Sequence, residues 1–487
     1  MVRLAVITAA LAASAMAGFN NHKTITDLIN QVSKTEDAVT APVDMWVDQP
    51  LDHTDAANKK TWKQRYHFNN AWFKGAGSPV FVYINGENVA DPASTTSPSY
   101  FMNELAQKYG ALVVSVEHRF YGKSQPTGDL TNESLKYLTM GQALADLANF
   151  QDYFVGQQNL TKANKWVTFG GSYPGMLSGF AKSKYPERFA GSIASSAPIN
   201  TKVDFYEYAD VVASALKYYG GDACVDTVAA GAKAVHDLLA STKAEDAATF
   251  TKLFNPCAPI KNDADRMTVE SLVFGNFQGI VQYNGLQEET VAGTCKFFAD
   301  VANGATPLDK IALFTRNHWD ARKCTGSDYD TENITPFLDT KPSDNIMRQW
   351  IYQTCAEFGF AQSTATAKSF WKVFSYNTVD RAYTELCKRV YAITNTEERT
   401  AATRQTYGAL KINVENVAWP NGNIDPWHAL SFDNTTVPVN TNSDHIFIDG
   451  TAHCADMYNR KYNLAPQWAM NRVEANVVKF LADKPAC

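Results

Sequence analysis

The sequence predicts an α/β protein in which a mostly parallel sheet flanked by helices is interrupted by a long helical insertion. Three observations carry this. Short apolar, β-rich runs at residues 79–84 (PVFVYI), 111–116 (ALVVSV), 166–169 (WVTF) and 192–194 alternate with helix-like segments at 100–108 and 140–153. That is the pattern of strands joined by helical crossovers. After Pro198 the pattern changes, and residues 203–340 are rich in Ala, Lys and Asp with helical periodicity and no strand series. Strand-like runs then return at 412–419 (INVENVAW) and 444–448 (DHIFI), and 467–481 reads as a closing helix.

A chain of 487 residues is too long for one simple core and calls for a large domain with an insertion, or two domains. The expected organisation is a signal peptide at 1–17, a first core part at 44–202, a helical cap at 203–340 and a second core part at 341–487. Arg3 precedes an apolar run at 4–13, broken only by Thr8, and Ala15-Met16-Ala17 supplies small residues for cleavage after Ala17. That run is too short to span a bilayer, and no later stretch is long and apolar enough to do so. Hydrophobic residues make up 45% and charged residues 19%, an ordinary globular balance, and the net charge of −6 comes with no basic stripe, which argues against nucleic acid as a partner.

The eight cysteines are Cys224, Cys257, Cys295, Cys324, Cys355, Cys387, Cys454 and Cys487, and none forms a CxxC pair. Behind a signal peptide, disulfides are the expectation rather than zinc or redox chemistry. The sequons at Asn132, Asn159, Asn333 and Asn434 are expected glycosylation sites on the same secretory route. No cofactor or metal is implied, and a homodimer is compatible with the sequence without being specified by it.

The decisive segment is Trp166-Val167-Thr168-Phe169-Gly170-Gly171-Ser172-Tyr173-Pro174-Gly175. A strand runs into a glycine-rich turn bearing one serine, and a helix follows. This is the context of a nucleophile elbow, and with the strand–helix alternation it specifies an α/β-hydrolase core. The serine of such a turn sits in a strained conformation and needs small neighbours. Pro174 takes the place of the last glycine of G-x-S-x-G, tolerable where a helix begins and no backbone donor is required.

In this fold the acid and the histidine follow the serine in the chain, on loops after strands. The run at 412–419 is followed by Asp425, and the run at 444–448 by His453. His453 is therefore the expected general base for Ser172, with Asp425 holding its tautomer. His445 lies at the start of its strand, His428 shares the Asp425 loop, and Asp433 and Asp449 are less well placed acids. Cys454 has no elbow around it and reads as a disulfide or buried thiol. The oxyanion hole needs two backbone donors: the Tyr173 amide, and one from the loop Asn85-Gly86-Glu87-Asn88 after the first strand run, with Gly86 and Glu87 the candidates.

With these residues in view, the chain resembles the serine peptidase family of lysosomal Pro-Xaa carboxypeptidase, dipeptidyl peptidase II and thymus-specific serine protease, nearest the thymus-specific branch. The resemblance spans residues 46–457. It rests on Gln64-Arg65-Tyr66, Tyr83-Ile84-Asn85-Gly86-Glu87, Glu117-His118-Arg119-Phe120-Tyr121-Gly122 with Ser124, Gly170-Gly171-Ser172-Tyr173, and Ala194-Ser195-Ser196-Ala197-Pro198. Later in the chain come Gln282-Tyr283, Tyr352-Gln353-Thr354-Cys355 with Glu357, Asp425-Pro426-Trp427 and Ala452-His453. It implies an α/β-hydrolase core with a helical cap inserted after the Ser-Ser-Ala-Pro segment, and the triad Ser172, Asp425, His453. It implies further that Met176 and Trp427 line a proline pocket, and that the disulfides are Cys224–Cys295, Cys257–Cys324 and Cys355–Cys387, with Cys454 and Cys487 unassigned. Two departures stand out: Asn85-Gly86-Glu87-Asn88 where the family often has Gly-Gly-Glu-Gly, and Pro174 where Gly or Ala is common.

The function expected is a secreted or lysosomal (vacuolar) serine exopeptidase acting on peptides after proline. Removal of a C-terminal residue and removal of an N-terminal dipeptide are both open. An esterase or lipase, and a binding protein without catalysis, are the alternatives from other classes; the elbow alone permits the first, and retention of all three triad residues disfavours the second.

Overall fold

The computed structural model describes residues 42–343 and 345–482; the expected signal peptide at 1–17 and Cys487 lie outside them. Ten strands are present among the described residues: β1 (Met45–Pro50), β2 (Thr61–Asn69), β3 (Val80–Ile84), β4 (Leu112–Val116), β5 (Trp166–Gly171), β6 (Gly191–Ser195), β7 (Lys202–Asp204), β8 (Gly359–Ala361), β9 (Val417–Gly422) and β10 (Asp444–Ile448). Eight make one sheet in the order β1-β2-β4-β3-β5-β6-β9-β10, and β7 pairs with β8 alone. The β1–β2 and β2–β4 pairings are antiparallel. Every other pairing of the large sheet is parallel, so β3, β4, β5, β6, β9 and β10 all end on the same sheet edge.

The helices are α1 (Phe101–Tyr109), α2 (Met140–Gln157), α3 (Tyr173–Lys184), α4 (Glu207–Ala240), α5 (Ala244–Phe254), α6 (Asp263–Gln282), α7 (Val291–Ala299), α8 (Pro307–Asn317), α9 (Met347–Gln353), α10 (Glu385–Tyr391), α11 (Thr396–Tyr407) and α12 (Gln467–Ala482), with shorter turns between them. In a strand successive side chains point to opposite faces, and β3 shows it. Val80, Val82 and Ile84 join the core that α2 and α3 share through Phe150, Phe154 and Phe180. Phe81 and Tyr83 join the core that α1 and α12 share through Leu105, Val473 and Phe480. With both faces covered, the strand is apolar throughout, as expected for a buried parallel strand.

Neighbouring strands β6 and β9 are separated in the chain by residues 196–416, which contain α4 to α11. Helices thus fill most of this span, where an insertion is expected at 203–340, and no return to the sheet marks residue 340. Beyond it α9 and α10 span seven residues each, too brief to show a sustained period, and α11 buries threonines rather than an apolar stripe. The bridges of the span are Cys224–Cys295, tying α4 to α7, with Cys257–Cys324 and Cys355–Cys387, the pairings the resemblance implies. Cys454 is a buried free thiol.

Two further readings need correction. β9 begins at Val417, not 412, and runs through Pro420 to Gly422. Registered pairing with β6 stops at Ala418; beyond it Pro420, which has no N–H to donate, still accepts the Ser196 N–H on its carbonyl (2.7 Å). Strands β1 and β2 have no counterpart among the expected runs: β2 buries Gln64, Arg65 and His67, which polar partners satisfy, Arg65 donating to Glu117 and Gln64 to the Glu117 carbonyl. The sequon residue Asn333 is fully buried and its Nδ2 donates to Thr268 Oγ1 (3.1 Å) and the Tyr329 carbonyl (3.2 Å), whereas Asn132, Asn159 and Asn434 are exposed.

A glycan on Asn333 would have no room and would take one of the two Nδ2 hydrogens that make these bonds. Enzymatic deglycosylation in heavy-oxygen water, followed by peptide mass spectrometry, should therefore mark Asn159 and Asn434 and leave Asn333 an unmodified asparagine.

Candidate active site

Four loops at the C-terminal edge of the parallel strands carry the expected residues, the position where open α/β sheets place their sites. β5 ends at Gly171, and Ser172 follows with φ 64° and ψ −129°. Positive φ is uncommon for a residue with a side chain and costs energy that the surroundings must hold in place. Here the Ser172 N–H donates to the Ser195 carbonyl (2.9 Å), and its own carbonyl accepts from Met176 N–H (3.1 Å) at the start of α3. The Ser172 side chain does not cap α3.

Gly171 must be glycine for lack of space. A Cβ there would collide with Met457 Sδ and lie 2.8 Å from Cys454 Sγ. The same closeness brings the elbow against the chain that carries His453. Ser196, after β6, accepts the Cys454 N–H on its Oγ (2.9 Å), fixing the two segments relative to each other.

Asp425 and His453 meet directly. Asn423 N–H donates to the Ile448 carbonyl (3.1 Å) and Ile424 N–H to the Thr451 carbonyl (3.1 Å). Gly450 N–H returns a bond to Asn423 Oδ1 (2.7 Å). Thus stitched, the loops place Asp425 Oδ2 2.8 Å from His453 Nδ1, while Asp425 Oδ1 accepts Trp427 N–H (2.9 Å). A carboxylate opposite Nδ1 makes that nitrogen the donor and leaves Nε2 as the basic one. Both side chains are buried. Burial alone would lower the imidazole pKa; Asp425 and the Cys454 side chain outweigh it, and His453 stands well above the ordinary histidine value.

Tyr173 opens α3, so its N–H lies outside the i→i−4 ladder and is free to meet an anion. Gly86 lies against it: a Cβ on Gly86 would overlap the Pro174 ring and stand 3.2 Å from Tyr173 Cδ1. Asn85 anchors this loop, its Nδ2 donating to Ser115 Oγ and the Val116 carbonyl (both 2.8 Å). Pro174 and Gly86 thus form one contact, the proline filling the space that the missing side chain leaves. Glu87 is buried, and its charge acts on His118, Tyr121 and Tyr173.

Sequence reasoning assigned no role to the residues that hold Tyr173 and Trp427. His118 Nδ1 donates to the Arg119 carbonyl (2.7 Å), and burial lowers its pKa to about 4, so the ring is neutral and Nε2 accepts from Tyr173 Oη (2.9 Å). Gln353 Nε2 donates to the same Oη (2.9 Å), and Tyr121 Oη donates to Gln353 Oε1 (2.5 Å). Trp427 packs among Phe205 (centroids 5.4 Å), Tyr208 (5.9 Å) and Phe360 (5.2 Å). Phe360 has φ 70°, a strained value for a bulky residue. Met176 is wholly buried on α3. The rivals fall elsewhere: His445 stacks on Phe432 (3.7 Å) and His428 Nδ1 donates to the Asp425 carbonyl.

A sheet of this topology with a serine elbow, and an aspartate–histidine pair on its C-terminal edge, defines an α/β hydrolase. Residues 49–474 match the serine carboxypeptidase S28 family, and the chain belongs to that family and is a serine peptidase. It is 31% identical to the thymus-specific serine protease of Mus musculus over 449 residues, covering 88% of this chain and 86% of that one. It is 24% identical to the lysosomal Pro-X carboxypeptidase of Bos taurus over 403 residues, covering 78% and 77%. No helix among the described residues is long and apolar enough to cross a membrane.

Two further acids, half-buried Glu357 and buried Asp456, are shifted upward. Burial raises Glu357, which accepts Met140 N–H (2.9 Å), to about 8, and Asp456, hydrogen-bonded to Ser195 Oγ, to about 6. A carboxyl group whose folded pKa is raised binds its proton more tightly folded than unfolded. Its contribution is full below the unfolded pKa and is lost as pH climbs through the folded one. Glu357→Gln, which keeps an acceptor for Met140, should therefore flatten the fall in thermal midpoint between pH 5 and pH 8 relative to wild type, measured by calorimetry.

Proposed function

We propose that this serine peptidase is an exopeptidase cleaving after proline, with Ser172 as nucleophile, His453 as general base and Asp425 as its orienting carboxylate. The Asp425–His453 hydrogen bond of 2.8 Å, on the sheet edge that carries the strained Ser172, is the observation this rests on. Ser172 Oγ attacks the peptide carbonyl while His453 Nε2 takes its proton, and the tetrahedral oxyanion is received by the Tyr173 amide and an amide of the Gly86–Glu87 loop. His453 then protonates the leaving amine. Water hydrolyses the acyl-enzyme by the same steps in reverse order.

The aromatic surround of Trp427, with Met176 in the first turn of α3, supports a proline pocket. Proline is compact and already restricted, so it gains burial at little cost in conformational entropy. A secreted or lysosomal setting accords with the disulfides and with the lysosomal and thymus-specific relatives. Two acid-range assays separate the exopeptidase modes, one on an N-blocked peptide with a free carboxyl end, the other on a free-amine peptide with a C-terminal reporter.

Ser172→Ala should lower kcat by roughly 10³-fold or more and abolish labelling by a fluorophosphonate probe; undiminished labelling would remove Ser172 from its role. Replacing proline by alanine in the substrate should cost about 1–3 kcal/mol of transition-state binding, or about 10- to 200-fold in kcat/KM. Met176→Ala should narrow that ratio. Equal kcat/KM for proline and alanine substrates would make this a broader peptidase with the same nucleophile.

A further inference from the structure

We propose that Gln282, the last residue of helix α6 in the insertion, is a positioning residue that aligns both His453 and Trp427. This rests on the reading of His453 as the base and Trp427 as the pocket wall.

The last carbonyls of a helix have no partner within it, and the Gln282 carbonyl accepts the backbone N–H of His453 (3.0 Å). Tyr283, the next residue, sets its ring edge-on to the His453 imidazole with centroids 6.3 Å apart. The Gln282 side chain turns to a different element. Its Oε1 accepts from Trp427 Nε1 (2.9 Å) and from Tyr208 Oη (2.7 Å). All three residues are buried, so neither donor has water as an alternative. Trp427 in turn gives its backbone N–H to Asp425. One residue of the insertion therefore touches the His453 loop through its backbone and, through its side chain, the turn that begins at Asp425.

α4 grips the same loop from another side. Tyr218 Oη donates to Asp449 Oδ2 (3.1 Å), and Tyr219 Oη to the Gly450 carbonyl (3.3 Å). The His453 loop is thus held to the core by its bonds to Asn423 and Ile424, and to the insertion by α4 and α6. Tyr208 Oη also reaches the Gln278 carbonyl (3.5 Å), so removing the shared acceptor would leave the buried Trp427 indole N–H unpaired, and such a group finds relief only by moving. Movement of Trp427 reaches the reacting groups.

The test uses the full chain and four variants: Gln282→Leu, Gln282→Glu, Trp427→Phe, and the Leu/Phe double variant. Fold is checked by circular dichroism and thermal midpoint, and active sites are counted with a fluorophosphonate probe. Per active site, Gln282→Leu should lose roughly 5- to 100-fold in kcat/KM on a proline substrate, and should also label more slowly. Gln282→Glu keeps an acceptor and should restore most of the rate, which a role in stability alone would not produce. In the Trp427→Phe background, where the indole donor is gone, Gln282→Leu should cost much less than it does in wild type. Full kcat/KM in Gln282→Leu, or the same loss in both backgrounds, would overturn the proposal. Should the leucine variant not fold, Gln282→Asn, which retracts the amide by one methylene, must show the same loss, and full activity in it would overturn the proposal. If wild type labels at Ser172 but cleaves no proline peptide, the reading of function fails. The positioning role is then judged on labelling rates alone, slower in Gln282→Leu if it holds and unchanged if it does not. Absence of labelling in wild type overturns both.

Discussion

The hydrogen bonds that stitch the loop after β9 to the loop after β10 fix where the Asp425 carboxylate meets His453. They run from backbone to backbone at Asn423–Ile448 and Ile424–Thr451, so they hold whatever the side chains do. They can form only because β9 and β10 are parallel neighbours ending at the same level. The elbow depends on the same geometry one step away. Ser172 hangs from the Ser195 carbonyl at the end of β6, and Ser196 N–H reaches the Pro420 carbonyl in β9. A chain of contacts thus runs from β5 through β6 and β9 to β10. A shift of one strand would be felt at Ser172, Asp425 and His453 alike.

Burying a carboxylate beside an imidazole is costly unless each oxygen is partnered. Both Asp425 oxygens are, one by His453 and one by the Trp427 N–H. The second bond also starts the Pro426–Leu430 turn that Asp425 caps, so the orientation of the acid and the placement of Trp427 are one decision of the backbone. Aromatic side chains from β8, the β7–α4 turn and α4 close around that tryptophan. A site built on core strands is in this way walled by residues from the insertion.

Much of this could be read from the residues. The glycine pair before Ser172 and the residues following the last two strand runs lead to Ser172, Asp425 and His453, because an elbow needs small neighbours and the fold orders its loops. The apolar runs of β3 to β6 show because both of their faces are covered. β1 and β2 do not, since Arg65, Gln64 and His67 look like surface residues until Glu117 and Asp44 are brought to them. His118, Gln353 and Gln282 lay in the matching motifs without a visible task. Their task is to bond partners far along the chain, and no local period or spacing encodes that. Asn333 is the converse case, a local motif whose meaning was removed by tertiary burial.

The separation of β6 from β9 by residues 196–416 also bears on how the molecule is made. Contacts between segments so distant in the chain form late, because loop closure must precede any gain from pairing. A nascent chain emerging in order presents β5 and its serine long before the strands that bring the acid and the histidine. Until β9 and β10 have emerged, the growing polypeptide holds the serine turn without the Asp425–His453 pair beside it. On the triad proposed above, hydrolytic competence therefore waits for β10 and the loop after it, which keeps a peptide-cleaving enzyme inert while the earlier part of the chain is still threading through the machinery that produces it.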